Sequence, residues 1–102
     1  MEWVDSTASK VSSLNMFIQG YRIEKGKYPA SIAALLKGSD SEVAKAIDEL
    51  LNAEVLGANN QYEFYFYTNS LKITATRQAG FLLPAEKIVR TYDTNGDLIN
   101  TP

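Results

Sequence analysis

The apolar period of this chain changes once. Up to about residue 57 the large apolar residues recur every three or four positions, and beyond a turn-like stretch at 57–61 they recur every second position. A single change of period excludes an alternating strand-helix-strand pattern and its parallel sheet. It predicts an α+β fold in which a long N-terminal amphipathic helix packs on a four-stranded antiparallel sheet, with two short helices between. At 102 residues there is room for one domain and one core.

In the first part, Val4, Ala8, Val11, Leu14, Phe17, Ile18 and Tyr21 form one helical stripe and predict a helix from about Asp5 to Glu24. Some twenty residues make a rod of roughly 30 Å, a spine for so small a domain. Gly20 costs it about 1 kcal/mol relative to Ala. Arg22, Lys25 and Lys27 gather at the negative end of the helix dipole, and the helix is expected to stop near Gly26. Ser31 then caps a short helix burying Ile32, Leu35 and Leu36, with Gly38 as its stop. Ser39 and Glu42 form a capping box for a third helix, which buries Val43, Ala46, Ile47, Leu50 and Leu51 and runs toward Gly57.

In the second part, Tyr62, Phe64 and Phe66 alternate with Glu63, Tyr65 and Tyr67. Leu71, Ile73 and Ala75 alternate with Lys72, Thr74 and Thr76, so the two runs predict a hairpin. Residues 77–87, with Gly80 and Pro84, are too broken for regular structure, and their Phe81, Leu82 and Leu83 are expected to be covered. A third strand follows at Ile88 to Asp93, and Asn95-Gly96 turns the chain into a fourth at Leu98 and Ile99. The single domain thus divides into a helical part, 1–26, a second helical part, 27–60, and a sheet, 61–102.

Composition narrows the chemistry. Ten basic against twelve acidic residues leave a net charge of −2, no field that would condense on phosphate, and nucleic acid is not expected as a partner. The chain has no His and no Cys, which removes the usual general base, the thiolate nucleophile, the zinc ligands and every disulfide. Asp48, Glu49 and Glu54 would spread over an exposed face with no nucleophile beside them, and no phosphate-cradling glycine motif occurs. An enzyme is therefore not expected. Tyr62, Phe64, Tyr65, Phe66 and Tyr67 suit a strand better than a base-stacking platform, since only Lys72 and Arg77 lie near enough to track phosphates. Lys10, Arg22, Lys25 and Lys27, with Glu2, Asp5 and Glu24, read singly as a solvated helix surface. Asp93, Asn95 and Asp97 have the D-x-N-x-D alternation of a calcium loop, yet Gly96 falls at the fourth position rather than the sixth and no twelfth-position Glu follows. They are the one metal candidate, against an Asn-Gly turn; no other cofactor is expected. No run reaches the roughly 18 to 20 apolar residues of a membrane-spanning helix, so the chain as it stands is expected to be soluble.

The helix leads into Tyr21-Arg22-Ile23-Glu24-Lys25-Gly26-Lys27-Tyr28-Pro29, and the chain closes on Tyr92-Asp93-Thr94-Asn95-Gly96-Asp97-Leu98-Ile99. In that order and spacing these segments resemble the type IV pilin and type II secretion pseudopilin superfamily. The resemblance implies a filament subunit whose amphipathic helix ends at a Tyr, Gly, Tyr-Pro junction and packs on an antiparallel sheet. Val11, Leu14, Phe17, Ile18 and Tyr21 would hold the sheet, Gly26, Tyr28 and Pro29 would fix the junction, and Gly96 would turn the closing hairpin. It also implies a hydrophobic helix ahead of Trp3, which this chain lacks, so that Met1 reads as an added start on a soluble truncation or on a split pilin. The partners would be other pilin or pseudopilin subunits, the inner-membrane assembly machinery, and the membrane through that helix. The location would be an extracellular filament or the periplasm. Some pseudopilins bind calcium near the C-terminus, and clustered aromatics have been linked to electron conduction in the family. The absence of cysteine favours pseudopilins or minimal pilins. The alternative is a soluble binding module, or the globular half of a split pilin, docking on a separate hydrophobic subunit. Contacts between subunits are expected in residues 39–60 and 77–87, because exposed loops carry recognition.

Overall fold

The structure is a computed structural model that describes residues 2–80 and 82–100. Three helices come first: α1 (Glu2–Lys25), α2 (Ile32–Gly38) and α3 (Ser41–Asn52). A small ribbon of β1 (Glu54–Val55) and β2 (Ala58–Asn59) follows. Then come β3 (Gln61–Phe66), β4 (Ser70–Arg77), β5 (Glu86–Asp93) and β6 (Leu98–Asn100), an antiparallel sheet in that spatial order. The fold is α+β, with the long helix, two short helices and four-stranded sheet expected from the sequence.

At 1.5 Å per residue α1 is about 36 Å long and spans the domain. One flank meets β4 and β5 and another meets α2, α3 and the ribbon. Val11, Leu14 and Ile18 are fully buried in one core with Leu71, Ile73, Ala75, Ile88 and Tyr92 of the sheet and Leu35, Ile47 and Val55 beside them. Sheet register follows the side-chain alternation. Tyr62, Phe64 and Phe66 stand opposite Ala75, Ile73 and Leu71, which face Ile88, Arg90 and Tyr92 in turn.

Several boundaries differ from those expected. Helix α1 begins at Glu2 rather than near Asp5, because Trp3 lies on its buried side. The centre of that side runs through Trp3, Thr7, Val11, Leu14 and Ile18, while Val4, Ala8, Phe17 and Tyr21 sit half-buried on its margin. Polar Thr7, Asn15 and Gln19 are part of the buried face, and an apolar count passes over them. Gly26, at φ +86°, ends α1 with its N–H donating to Arg22 O at 2.7 Å. Tyr28 and Pro29 are buried immediately after it.

Ser31 caps α2 through Oγ, which accepts from Ala34 N–H at 3.1 Å. Helix α3 is capped by Asp40, whose Oδ1 accepts from Val43 N–H at 2.9 Å, and not by Ser39. The Ser39 hydroxyl instead donates to Leu35 O at 2.7 Å and closes α2. Gly38 admits the Tyr21 ring, since a Cβ there would lie 2.8 Å from Tyr21 Cε2. Helix α3 stops at Asn52, short of Gly57, because Leu56 (φ +53°) and Gly57 (φ +83°) make the tight turn of the β1–β2 ribbon.

The closing turn is a three-residue loop with only Gly96 in the left-handed region, at φ +84°. Gly96 N–H donates to Asp93 O at 3.0 Å, and Asp93 N–H to Asp97 O at 2.9 Å. Leu82 and Leu83, expected to be covered, are exposed. Phe81, grouped with them, lies outside the described residues.

Burial of Tyr92 raises its phenol pKa above the ordinary 10.0, an effect that the nearby Arg90 charge partly opposes. A phenol harder to ionise when folded contributes stability that is whole below the unfolded value and lost as pH rises through the folded one. Urea unfolding midpoints should therefore hold steady to about pH 9 and fall above about pH 10, and Tyr92→Phe should shrink that fall.

Candidate functional site

Two polar clusters pin α1 to the sheet, one near each end. At the start of the helix, Trp3 is 1% exposed and its indole N–H donates to Asn60 Oδ1 at 3.0 Å. Asn60 Nδ2 donates to Thr7 Oγ1 at 3.0 Å and to the Tyr62 hydroxyl at 3.4 Å. The Arg77 guanidinium, 3% exposed, lies 5.5 Å from the Trp3 ring centroid. Its Nη2 donates to Pro84 O at 2.7 Å and stands 3.3 Å from Glu86 Oε2. The last contact has ion-pair distance without hydrogen-bond alignment.

Toward the other end, Gln19 Nε2 faces Asn15 Oδ1, the Tyr28 hydroxyl and Asp93 O, each at 3.1 Å. Asn15 Nδ2 donates to Gly96 O at 3.1 Å. The junction Tyr28 and the closing hairpin are thereby tied to the same turn of α1. Sequence reasoning missed Trp3, Thr7, Asn15, Gln19, Asn60 and Arg77 as core members. The detectable signal was the spacing 3, 7, 11, 15, 19, a four-residue repeat that keeps polar side chains on the apolar stripe.

Beyond Gln19 the helix opens onto a cleft of about 790 Å3. Its wall is aromatic: the Tyr28 and Phe66 ring centroids lie 6.2 Å apart, with Phe64 a further 6.3 Å along β3. Its rim is basic, with Lys27 and with Arg22, whose guanidinium lies 5.4 Å from the Tyr28 centroid. Thr68 and Asn69, from the β3–β4 turn, close one side, and no carboxylate is among the lining residues. Tyr65 and Tyr67, which alternate with these rings along β3, are exposed and also line the cleft, and Tyr65 carries Lys72 4.5 Å from its ring centroid.

At the opposite end of β4, Gly80 and Leu83 exchange backbone hydrogen bonds at 2.9 and 3.3 Å and close a turn. Leu82 stands in it at φ +70°, a conformation costing a non-glycine residue roughly 1–2 kcal/mol, and is 86% exposed. Arg77, through Pro84 O, anchors the base of this turn.

The other candidates fall apart from these features. Asp93, Asn95 and Asp97 share the closing turn, where Asp93 Oδ1 accepts from Asn95 N–H at 2.9 Å and Asp97 N–H at 3.0 Å. That carboxylate serves the turn itself. Among the described residues no group of three His, Cys, Asp or Glu side chains converges. Asp48, Glu49 and Glu54 are exposed, and Asp48 takes a hydrogen bond from Asn52. Lys25 and Glu24 lie 3.7 Å apart on the exposed end of α1.

No family model matches this chain, and neither a curated protein nor a solved structure matches it.

Removing one partner from the Trp3 cluster orphans the rest. Asn60→Ala should lower stability by about 2–3 kcal/mol in denaturant unfolding. Trp3→Phe combined with Asn60→Ala should cost about 1 kcal/mol less than the two single changes added together. Asp93→Ala, which frees two turn N–H groups near the surface, should cost about 1 kcal/mol.

Proposed function

We propose that this chain is the globular part of a pilin-like or pseudopilin-like filament subunit, with a structural role and no catalytic one. One observation carries the reading. The two segments that resemble the pilin superfamily, the Tyr28-Pro29 junction and the closing hairpin, meet on one turn of α1 through Gln19. Motifs 65 positions apart in the chain thus share one anchor on α1, which supports reading them as parts of one architecture.

In this reading a hydrophobic segment ahead of Trp3 would continue α1 and form the filament core, with the present domain as its shell. Among the described residues no helix is long and apolar enough to cross a membrane, so that segment would supply the membrane contact of the precursor. The partners are further subunits of the same kind and the assembly machinery, and the location is the periplasm or the cell surface. Each subunit would present one surface to a different surface of its neighbour, the arrangement that yields open helical polymers.

Mass spectrometry of sheared surface filaments from the source cells decides the matter. The expected result is this domain in the filament fraction, carrying a processed hydrophobic N-terminal segment. Recovery solely as a soluble protein beginning at Met1 would replace the filament subunit with a free binding module or split-pilin partner.

A further inference from the structure

We infer that the free edge of β3 takes up an extended acidic segment of another protein as an added strand, with Arg22 and Lys27 receiving its carboxylates. The contact goes beyond the filament reading and does not rest on it.

The sheet has two edges, β3 and β6, and they differ. Strand β6 is three residues long and joins β5 across a register shift at Thr91 and Tyr92, features that discourage further pairing. Strand β3 has neither protection. It runs six residues in unbroken register with β4, contains no Pro or Gly, and carries one charged side chain, Glu63. Its bonding phase follows from the turn beyond it, where Tyr67 N–H donates to Ser70 O. By antiparallel alternation, Tyr65 and Glu63 then spend their backbone groups on Lys72 and Thr74. The N–H and C=O groups of Tyr62, Phe64 and Phe66 point away from β4, and among the described residues no other strand pairs with them.

The cleft lies along this edge. Residues 64 to 67 all line it, although Phe64 and Phe66 project from one face of the strand and Tyr65 and Tyr67 from the other. A space that touches both faces runs beside the backbone between them. Residues 26–30 form the facing wall. Tyr28 is buried under Arg22 and adds little apolar area, so a greasy ligand gains little here. An extended chain gains main-chain hydrogen bonds from Phe64 and Phe66, the groups that strand addition uses for affinity.

Charge chooses the occupant. Arg22 and Lys27 line the cleft, no carboxylate does, and among the described residues neither cation is in an ion pair. The other charges nearby offset one another. Lys25 lies 3.7 Å from Glu24, and on the outward face Lys72 beside the Tyr65 ring is balanced by Glu63, which accepts from the Tyr65 hydroxyl at 3.4 Å. Two uncompensated positive charges remain, on a chain whose net charge is −2. They favour a segment with acidic side chains at alternate positions, the spacing at which a strand returns to the same face. The β3 of a second copy offers a single carboxylate for the two cations.

The probe is an end-capped peptide of about seven residues, alternating Thr and Glu, and its control has Lys in place of Glu. At about ten times its Kd the Thr-Glu peptide should slow amide exchange of Phe64 and Phe66 by about tenfold, and leave Tyr65, already paired with Lys72, as it was. The Lys control should not bind. Lys27→Gln alters an exposed side chain and should weaken the Thr-Glu peptide about threefold at an unchanged melting temperature. Adding Arg22→Gln should bring the loss to about tenfold. No binding of the Thr-Glu peptide at about 1 mM would overturn the proposal. Equal binding of the Lys control, affinity unchanged in Lys27→Gln, or binding that leaves Phe64 and Phe66 exchange unchanged would each do the same. Protection of those two amides that grows with protein concentration alone would also overturn it, and would assign the edge to a second copy.

Discussion

Everything in this domain depends on how α1 satisfies the polar groups that it buries. A helix with a purely apolar face can rotate or slide on a sheet at modest cost, because hydrophobic burial has no direction. Asn15 and Gln19 remove that freedom. Their amides reach Gly96 O, Asp93 O and Tyr28 Oη in one placement, and a slip of a single turn, about 5.4 Å, would leave them buried and unpaired. Near the other end Trp3 and Thr7 impose the same condition through Asn60. Apolar contacts supply the bulk of the driving force, and these few directional bonds select one docking among many.

With the helix fixed at both ends, the positions of the remaining features follow. Tyr28 is held by Gln19, so its ring must lie against Phe66 and under Arg22, and the aromatic cleft opens there. Arg77 is held against Trp3, so the chain leaving β4 is anchored at Pro84 and must turn outward before β5 begins at Glu86. The cleft and the exposed turn are thus both set by the fit of α1 to the sheet, although neither touches the centre of the core.

The coarse architecture was legible because it rests on periodicity and on local backbone chemistry. The change of period predicted helices before strands; Gly26 and Ser31 were readable because a left-handed stop and a hydroxyl cap act within four residues. What escaped depends on distant partners. Asn15, Gln19 and Asn60 read as surface residues until the groups that pair with them, up to 81 positions away, are brought near. The β1–β2 ribbon was hidden because Leu56 takes a turn position where Asn, Asp or Gly is expected. Asp40 displaced Ser39 as a cap since two adjacent residues can fill that role, and the loser found a second use on Leu35 O. The filament reading itself came from the order of Tyr-Pro and hairpin motifs, and segment 77–87 was singled out as irregular and as a place for subunit contacts, with its leucines expected to be covered. That its leucines face water follows from the Arg77 anchor, which no local pattern reveals.

The bonds from Asn15 and Gln19 to the closing hairpin also govern when the domain can form. Their partners lie 81 and 74 residues further along, near the limit of what this chain allows, so these contacts are among the slowest to close. During synthesis, α1 leaves the ribosome first and must wait, its amides facing water, until almost all of the sheet has followed. A nascent chain halted before Asp93 holds α1 to α3, most of the sheet and the Trp3–Asn60 bond, and still lacks the residues that fix the Asn15 and Gln19 end of α1.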